Sequence, residues 1–343
     1  MNEVIQPALK AKDYATNQEV RWCPGCGDYA IIKAVQKTMA DIGADPANTV
    51  FVSGIGCAAR FPYYMETFGF HTIHGRAPSF ATGIKLVNPD LDVWVVGGDG
   101  DGLSIGGNHT MHAIRRNVDI TYLLFNNEIY GLTKGQYSPT SRRGTRSPST
   151  PDGSIDSPVN ALSFALGANA RFVARGIDRR QDHLPGVLAR AHSHKGCSFV
   201  EVIQNCIVYN DGAFEHFTEK DVKADTQIEC VHGELLLFGK DKKRGLRLNH
   251  DSLELETVII GENGITEDDI IVHDETNRTI AGALARMEPP HFPMAIGVLY
   301  CDPADQSYEK AVLRQNRAVA EKATTKGDMN ALLRRGATWD VAT

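Results

Sequence analysis

The chain has 343 residues, of which 42% are hydrophobic and 23% are charged, a composition that is ordinary for a globular protein with a sizeable core. Its net charge of −6 argues against a nucleic-acid partner. The first residues lack the basic start and apolar core of a signal peptide. No apolar run approaches the ~18 residues that a membrane span needs. We therefore expect a soluble, cytoplasmic protein that does not bind membranes.

Short apolar runs alternate with helical stretches along the first two thirds of the chain. After a polar arm, a helix is predicted over residues 29–42, with Asp28 as its N-cap and Gly43 at its end. The alternation predicts an α/β fold in which a parallel sheet is covered by helices on both faces. The predicted strands are 49–53, 93–96, 120–125 and 199–203, and further helices are predicted near 104–116, 158–168 and 182–194.

The pattern changes towards the C-terminus. Residues 135–158 are rich in Ser, Pro, Thr, Arg and Gly and predict a long loop. Past about residue 225 the alternation of strands and helices weakens. We expect one domain over residues 1–225 and a C-terminal extension over 226–343 that packs on a neighbouring subunit.

Glycine and amide residues follow the predicted strands, where ligands bind in parallel sheets. Asp99 lies between two glycines after one strand, and Asn126-Asn127 follow the next strand. Each motif alone is typical of a turn. Together they offer carboxylate and amide oxygens to Mg²⁺, beside glycines that let backbone N–H groups approach a phosphate. This combination resembles the thiamine-diphosphate motif of the transketolase and decarboxylase superfamily, and no P-loop motif competes with it.

That resemblance implies a set of cofactor residues. Asp99, the side chain of Asn127 and the carbonyl of Ile129 would bind Mg²⁺. The residues that would line the diphosphate are Gly100, Asp101, Gly131 and Leu132.

The cysteines predict an iron–sulfur cluster. Their number is odd, which does not predict a disulfide framework. Cys23 and Cys26 form a CxxC knuckle, but no second CxxC follows to complete a zinc site. A [4Fe–4S] cluster needs four thiolates, and Cys57 and Cys206 each follow a strand at the same predicted sheet edge. The other three cysteines are expected to be buried and inert: Cys197, Cys230 and Cys301.

Taken together, the motifs resemble the β subunits of 2-oxoacid:ferredoxin oxidoreductases over about residues 15–220. The segments that carry this resemblance are WCPGCG at 22–27, SGIGC at 53–57, HGRA at 74–77, GDGDG at 98–102 and FNNEIYGLTKGQYSPT at 125–140. A further segment, FGKDKKRGL at 238–246, is similar to the 2-oxoglutarate branch of this family. The resemblance implies that Cys23, Cys26, Cys57 and Cys206 hold one [4Fe–4S] cluster, that His74 lies at the diphosphate, and that the cofactor cradle is Ile55, Gly56, Cys57 and Ala58.

The function that this resemblance implies is the coenzyme A-dependent oxidative decarboxylation of a 2-oxoacid, with electrons passing through the cluster to ferredoxin. The domain over residues 1–225 would carry thiamine diphosphate, Mg²⁺ and the cluster. A larger α subunit would supply the second thiamine domain in an (αβ)₂ heterotetramer. The sequence favours 2-oxoglutarate as the substrate, and pyruvate or a broad range of 2-oxoacids is the alternative.

Basic residues after the asparagine pair are candidates for substrate binding. Lys134, between Gly131 and Gly135, is the candidate partner of the substrate carboxylate, against the alternative of a solvated lysine. Three arginines of the long loop could meet a distal carboxylate or coenzyme A phosphates, although a solvated basic loop is favoured: Arg142, Arg143 and Arg146.

Three other functions compete with this interpretation. Residues 54–59 imitate a dinucleotide-binding motif, but Pro62 follows too soon for the long helix that such a motif requires. A non-oxidative thiamine-dependent lyase would leave the four cysteines unexplained. A non-catalytic iron–sulfur carrier would bind a cluster and no thiamine diphosphate.

Overall fold

A computed structural model describes residues 9–303, 306–322 and 327–341 of the chain. The helices are α1 (Asp28–Ile42), α2 (Ala77–Val87), α3 (Gly107–Arg116), α4 (Ala161–Gly167), α5 (Leu184–Ser193), α6 (Glu215–Thr218), α7 (Lys223–Thr226), α8 (Arg278–Leu284), α9 (Tyr308–Lys322) and α10 (Met329–Leu333). The strands are β1 (Thr49–Ser53), β2 (Phe68–His71), β3 (Asp92–Gly98), β4 (Ile120–Asn126), β5 (Ile129–Tyr130), β6 (Gln136–Tyr137), β7 (Phe172–Ile177), β8 (Cys197–Ile203), β9 (Gln227–Cys230), β10 (Leu237–Phe238), β11 (Arg244–Leu248), β12 (Leu255–Ile259) and β13 (Met294–Cys301). Among the described residues, no helix has both the length and the apolar character to span a bilayer.

An eight-stranded sheet forms the centre of the fold, in the order β2-β1-β3-β4-β8-β7-β13-β9. The first six of these strands are parallel to one another. β13 runs antiparallel to β7, and β9 is parallel to β13, so this edge of the sheet is reversed. The prediction of a largely parallel sheet in an α/β fold is confirmed.

Both faces of the sheet are covered, because successive strand residues point to opposite sides. Val93 and Val95 of β3 belong to one hydrophobic core, which α2, α3, α4 and α8 cover. Trp94 and Val96 of the same strand belong to a second core, which α1 and α5 cover. Burial on both sides explains why the central strands are continuous apolar runs in the sequence.

Helix α1 corrects one detail of the sequence analysis. It ends as predicted at Gly43, which adopts the left-handed conformation (φ 66°) that favours glycine at this position. The prediction that Asp28 is the N-cap is wrong, because Gly27 is the cap and Asp28 is the first helical residue. The Asp28 side chain is buried and lines a cavity instead of capping the helix.

Part of the chain beyond residue 225 joins the main sheet. β9 and β13 extend its reversed edge, while β10, β11 and β12 form a separate three-stranded sheet. The packing of residues 226–343 on a partner subunit stays a prediction. The dinucleotide-binding alternative loses support here, because a short 3₁₀ helix containing Pro62, Ala58–Tyr64, follows residues 54–57 in place of a long α-helix.

Candidate functional site

Four neighbouring parallel strands end at one edge of the sheet and position the predicted site. β1 ends at Ser53, β3 at Gly98, β4 at Asn126 and β8 at Ile203, and these strands are adjacent in the order β1-β3-β4-β8. A cavity lies at this edge. The predicted residues that line it are Ile55, Gly56, Cys57, Ala58, His74, Asp99, Gly100, Asp101, Asn127, Ile129, Gly131 and Leu132.

The turn after β3 has room only for glycine at position 100. A Cβ on Gly100 would lie 2.1 Å from the ring of Tyr130, which is closer than any real contact. The Tyr130 hydroxyl donates a hydrogen bond to the Gly100 carbonyl at 3.2 Å. The loop after β4 therefore packs against the turn that carries Asp99.

Asp99 is a buried carboxylate held by two hydroxyls. The Ser138 and Thr140 hydroxyls each lie 2.5 Å from its Oδ2 atom. Burial raises the pKa of Asp99 to about 6, although these hydrogen bonds favour its charged form. No cation from the described part of the chain opposes this effect at Asp99. A buried carboxylate of this kind gains greatly from a bound divalent cation, so the group suits a magnesium ligand.

The amide of Asn127 is held in one orientation. Its Nδ2 donates to Gln204 Oε1 at 2.7 Å, and its Oδ1 accepts a hydrogen bond from the Ile129 N–H at 3.1 Å. Asn210 donates to the Asn127 carbonyl at 2.8 Å and fixes the backbone of the turn. The amide oxygen keeps a second lone pair, which is available to a metal ion.

Asp101 ties three loops of the site together. Its Oδ1 accepts hydrogen bonds from the N–H groups of Ile55 (3.0 Å) and Gly75 (2.7 Å), and it lies 2.5 Å from Nδ1 of His74. The carboxylate is thereby occupied within the chain. A phosphate placed here would meet the backbone around Asp101 with less repulsion, because this negative charge is already paired with hydrogen-bond donors.

The structure also brings the four predicted cluster cysteines together. A Cβ on Gly131 would stand 3.5 Å from Sγ of Cys206 and 3.6 Å from Sγ of Cys57. Cys26 lies close enough to both for their charges to raise its pKa further, after the larger effect of burial. Cys23, the exposed end of the knuckle, is close enough to Cys57 to act on it in the same way.

A single metal ion and a cluster make different demands on the spacing of these sulfurs. One zinc ion needs its thiolates within about 4 Å of one another, because each Zn–S bond is about 2.3 Å. Within the described residues, no three His, Cys, Asp or Glu side chains converge in this way. Each iron of a [4Fe–4S] cluster takes one cysteine, so the sulfurs lie further apart. The remaining three cysteines are buried in the hydrophobic cores: Cys197, Cys230 and Cys301.

Asp28 is a site residue that the sequence analysis missed, because its position suggested a helix cap. Burial raises its pKa to about 7. Neither carboxylate oxygen has a well-formed hydrogen bond among the described groups, although the Cys26 thiol is near enough to favour the charged form. The sequence analysis also assigned no role to Gln204, Ser138 or Thr140, although the last two stand in the segment FNNEIYGLTKGQYSPT that carries the family resemblance.

The candidate substrate-binding cations lie outside the cavity. Lys134 is exposed and has a left-handed backbone (φ 76°), which places it at the tip of the turn after β5. Arg143 and Arg146 are exposed. Nε of Arg142 lies 3.6 Å from a carboxylate oxygen of Glu128, which is partly buried. The roles of all four cations stay predictions.

Comparisons with known proteins agree with this site. Residues 54–202 match the family model described as thiamine pyrophosphate enzyme, C-terminal TPP binding domain. The chain is 44% identical to the 2-oxoglutarate oxidoreductase subunit KorB of Mycobacterium tuberculosis, over 97% of this chain and 88% of that protein. It is 50% identical to the β subunit of 2-oxoacid:ferredoxin oxidoreductase 1 of Aeropyrum pernix, over 58% of this chain and 62% of that protein.

A solved structure shows the same fold. It is the 2-oxoglutarate:ferredoxin oxidoreductase of Magnetococcus marinus with 2-oxoglutarate, coenzyme A and succinyl-CoA bound. The TM-score is 0.75 at 31% sequence identity, and the alignment covers 98% of each chain. The similarity therefore includes the C-terminal part, which lies outside the family model's match at 54–202.

The raised pKa of Asp99 predicts that this residue destabilises the metal-free chain. Its pKa is about 6 in the folded chain, so the folded state binds more protons than the unfolded state between about pH 4 and pH 6. Stability therefore falls as the pH rises through that window and stays lower above it. Asp99→Asn should stabilise the metal-free chain by roughly 3 kcal/mol at pH 8, with little gain at pH 4.

Chemical denaturation of the metal-free chain at both pH values measures this difference. Asp152→Asn, in the exposed part of the long loop, is the control and should change neither midpoint. A gain for Asp99→Asn that is the same at pH 4 and pH 8 would contradict the assignment of the effect to the Asp99 charge.

Proposed function

Because the chain belongs to the β subunits of 2-oxoacid:ferredoxin oxidoreductases, we propose that it carries the thiamine diphosphate of an enzyme that oxidatively decarboxylates 2-oxoglutarate in the presence of coenzyme A. The observation that carries the proposal is the cavity at the carboxyl ends of β1, β3, β4 and β8. It contains a buried carboxylate, an oriented amide and a glycine turn, and most of its lining residues fall within the matched thiamine-diphosphate domain.

Asp99, Asn127 and the Ile129 carbonyl would hold Mg²⁺, which in turn would hold the diphosphate. Their oxygens are the ligands that Mg²⁺ prefers. Gly100, Gly131 and neighbouring N–H groups would meet the phosphate oxygens, since glycine allows the backbone to approach closely. When bound, thiamine diphosphate supplies the carbon nucleophile that adds to a 2-oxoacid and accepts the electrons left by the departing CO₂.

We propose that Cys23, Cys26, Cys57 and Cys206 hold a [4Fe–4S] cluster beside this cavity. Burial raises the pKa of the Cys57 thiol to about 12, which makes a free thiolate unfavourable there. Bound iron reverses this effect, because a coordinating thiol loses its proton to the metal. The support for an electron-transfer role is the position of Cys57, which belongs to the sulfur group and also lines the cavity.

The substrate and the electron acceptor are proposed from the similarity of the chain to known proteins. The Mycobacterium tuberculosis relative is named for 2-oxoglutarate, and the Magnetococcus marinus structure contains 2-oxoglutarate, coenzyme A and succinyl-CoA. Pyruvate or a broad 2-oxoacid range is the second candidate, since the Aeropyrum pernix relative is named for 2-oxoacids in general. Ferredoxin is the proposed electron acceptor and the cytoplasm the proposed location.

A second subunit is part of the proposal, because the cavity holds too little space for the whole cofactor. Its volume is about 90 Å³, whereas pockets for ligands of drug size occupy at least about 300 Å³. The apolar Leu132 at its rim is half exposed. A larger α subunit would cover the remainder in an (αβ)₂ assembly, with residues 226–343 packing against it.

The proposed function is tested with the chain purified without oxygen, both alone and co-expressed with the α subunit. We expect bound thiamine and iron, and viologen reduction that depends on 2-oxoglutarate and coenzyme A only when both subunits are present. Asp99→Ala should lose bound thiamine, because it removes the charged magnesium ligand. Full turnover by this chain alone would exclude the need for a partner, and iron without thiamine would favour the iron–sulfur carrier.

The cluster assignment predicts different iron contents for two cysteine variants. Cys206→Ala removes one of four ligands, so iron content should fall sharply from about four per chain. Cys301→Ala is the matched control, because Cys301 is buried in a hydrophobic core and should leave iron unchanged. Iron and sulfide analysis measures both variants. Equal loss in the two, or zinc in place of iron in the parent, would contradict the assignment.

Lys134 is predicted to bind the substrate and not the cofactor. Its exposed position on the cofactor loop leaves the ammonium free to reach a carboxylate that enters from the open side. Lys134→Gln should keep iron and thiamine and weaken kcat/KM for 2-oxoglutarate by about tenfold, as expected for a lost charged hydrogen bond of 1.5–3 kcal/mol. Lys220→Gln, exposed near the end of α6, is the control. Steady-state kinetics equal to those of the parent would show that Lys134 is a solvated lysine with no role in substrate binding.

A further inference from the structure

A buried polar network connects the candidate magnesium site to the reversed edge of the sheet. Its members are less than one tenth exposed and come from the turn after β3, from the long loop and from three neighbouring strands, β4, β8 and β7. They are Asp99, Thr140, Asn126, Glu201 and Arg175. Asp99 is the only one of the five in the sequence-predicted site.

The network begins at Asp99. The Thr140 hydroxyl lies 2.5 Å from Asp99 Oδ2 and 2.9 Å from Asn126 Oδ1. This hydroxyl has only one hydrogen to donate, so the Asp99 carboxylate and the Asn126 amide oxygen compete for it. Its position is consequently set from both sides, by the carboxylate of Asp99 and by the amide of Asn126.

The network continues across the strands to an ion pair. Asn126 Nδ2 donates to Glu201 Oε1 at 2.8 Å, and Arg175 Nε donates to Glu201 Oε2 at 2.7 Å. The guanidinium then donates to the Ala295 carbonyl of β13 at 3.3 Å. A strand from beyond residue 225 thus anchors the far end of the network.

Glu201 fixes which way the Asn126 amide points. An ionised carboxylate only accepts hydrogen bonds, so the amide must present its Nδ2 to Glu201 and its oxygen to Thr140. The Glu128 N–H, 3.3 Å from the same oxygen, favours this orientation as well. Because Asn127 is the next residue, a fixed Asn126 also fixes the turn that presents the second candidate magnesium ligand.

Stability alone does not explain why the Arg175–Glu201 pair is buried. Burying two charges costs several kcal/mol per ion before their attraction is counted, and apolar pairs of the same volume often stabilise a fold as well or better. Because the pair contributes little net stability, its role is better explained by the orientation that it imposes on the Asn126 amide. Residues that orient metal ligands from behind typically change metal affinity by 10- to 100-fold when they are replaced.

We propose that Thr140, Asn126, Glu201 and Arg175 are positioning residues for Mg²⁺, which hold Asp99 and Asn127 in the geometry that binds the ion. The inference rests on the proposed function, since it requires that Mg²⁺ and thiamine diphosphate bind at this edge. It also gives β13 a specific role: the strand accepts the last hydrogen bond of the network and so couples the C-terminal part of the chain to the site.

The test is the Mg²⁺ concentration that half-saturates thiamine diphosphate binding to the complex of this chain with its α subunit, measured by calorimetry after the metal has been removed. Thr140→Val keeps the shape of the side chain and removes the hydroxyl, and it should raise this concentration about tenfold. Thr140→Ser should restore the parent value. Arg175→Met combined with Glu201→Met removes the ion pair without leaving a lone charge, and it should raise the concentration by a similar factor.

A second ion pair, between a buried lysine and a partly buried aspartate, provides the control. Lys85 and Asp119 lie 3.3 Å apart at the opposite edge of the sheet, where β4 begins. Lys85→Met combined with Asp119→Leu should change the melting temperature and leave the Mg²⁺ requirement as it is in the parent. A purely structural role for Arg175 and Glu201 would give the same result in both double variants.

The possible outcomes distinguish a failure of the proposed function from a failure of the positioning role alone. A parent complex that binds no thiamine diphosphate at any Mg²⁺ concentration would overturn the proposed function, and this inference with it. A parent that binds, with the Arg175–Glu201 double variant requiring no more Mg²⁺, would overturn the inference alone. If that variant does not fold, Glu201→Gln takes its place, because an amide can donate as well as accept and no longer fixes Asn126. A parent-like Mg²⁺ requirement in Glu201→Gln would equally overturn the inference.

Discussion

The shared direction of the strands is the constraint on which the site depends. Because β1, β3, β4 and β8 are parallel and adjacent, the residues that follow them must meet at one edge of the sheet, however far apart they lie in sequence. The segments after these strands contribute Cys57, Asp99, Asn127 and Cys206. Reversing any one of the strands would move its terminal residues to the opposite edge and remove a ligand from the site.

The same edge concentrates charge that the chain itself does not neutralise. Burial raises the pKa of Asp28 and of Glu128 to about 7, and that of Asp99 to about 6. Arg142 is a cation that opposes this effect at Glu128. Acidic groups held in this way make the metal-free fold less stable at neutral pH, and cations that bind only the folded state return that stability. Binding of a cation at this edge would therefore be coupled to folding.

Some parts of this molecule could be predicted from sequence because their signals are local. The central strands are apolar runs, and the glycine, amide and cysteine motifs stand directly after them, so the edge of the sheet could be assembled without coordinates. β7 was missed because Arg175 and Gly176 interrupt its apolar run. Arg175 is buried only because Glu201 lies opposite it on β8, and such a pairing between strands leaves no trace in either segment alone.

Other parts depend on contacts that are distant in sequence. Ser138 and Thr140 belong to a polar stretch that is typical of a solvated loop, yet both hydroxyls contact Asp99, about forty positions earlier. The assignment of Asp28 as a helix cap failed for a related reason. An acidic residue at the start of a helix is normally solvated and accepts backbone hydrogen bonds, whereas here the cavity and the cysteine knuckle enclose the side chain. Local rules fail at both places because the site, and not the local segment, determines the environment.

The position of Gly131 relates the cavity to two of the candidate cluster cysteines. Its backbone lines the cofactor cavity, and a side chain in its place would touch the sulfurs of Cys57 and Cys206. A single residue without a side chain therefore separates the two candidate cofactor sites, and Cys57 belongs to both. An enzyme that merely released CO₂ and returned a proton would gain nothing from four cysteines at this distance. Under the proposed function, electrons would have only a short distance to cross from the organic cofactor to the cluster, because Gly131 lies against both candidate sites.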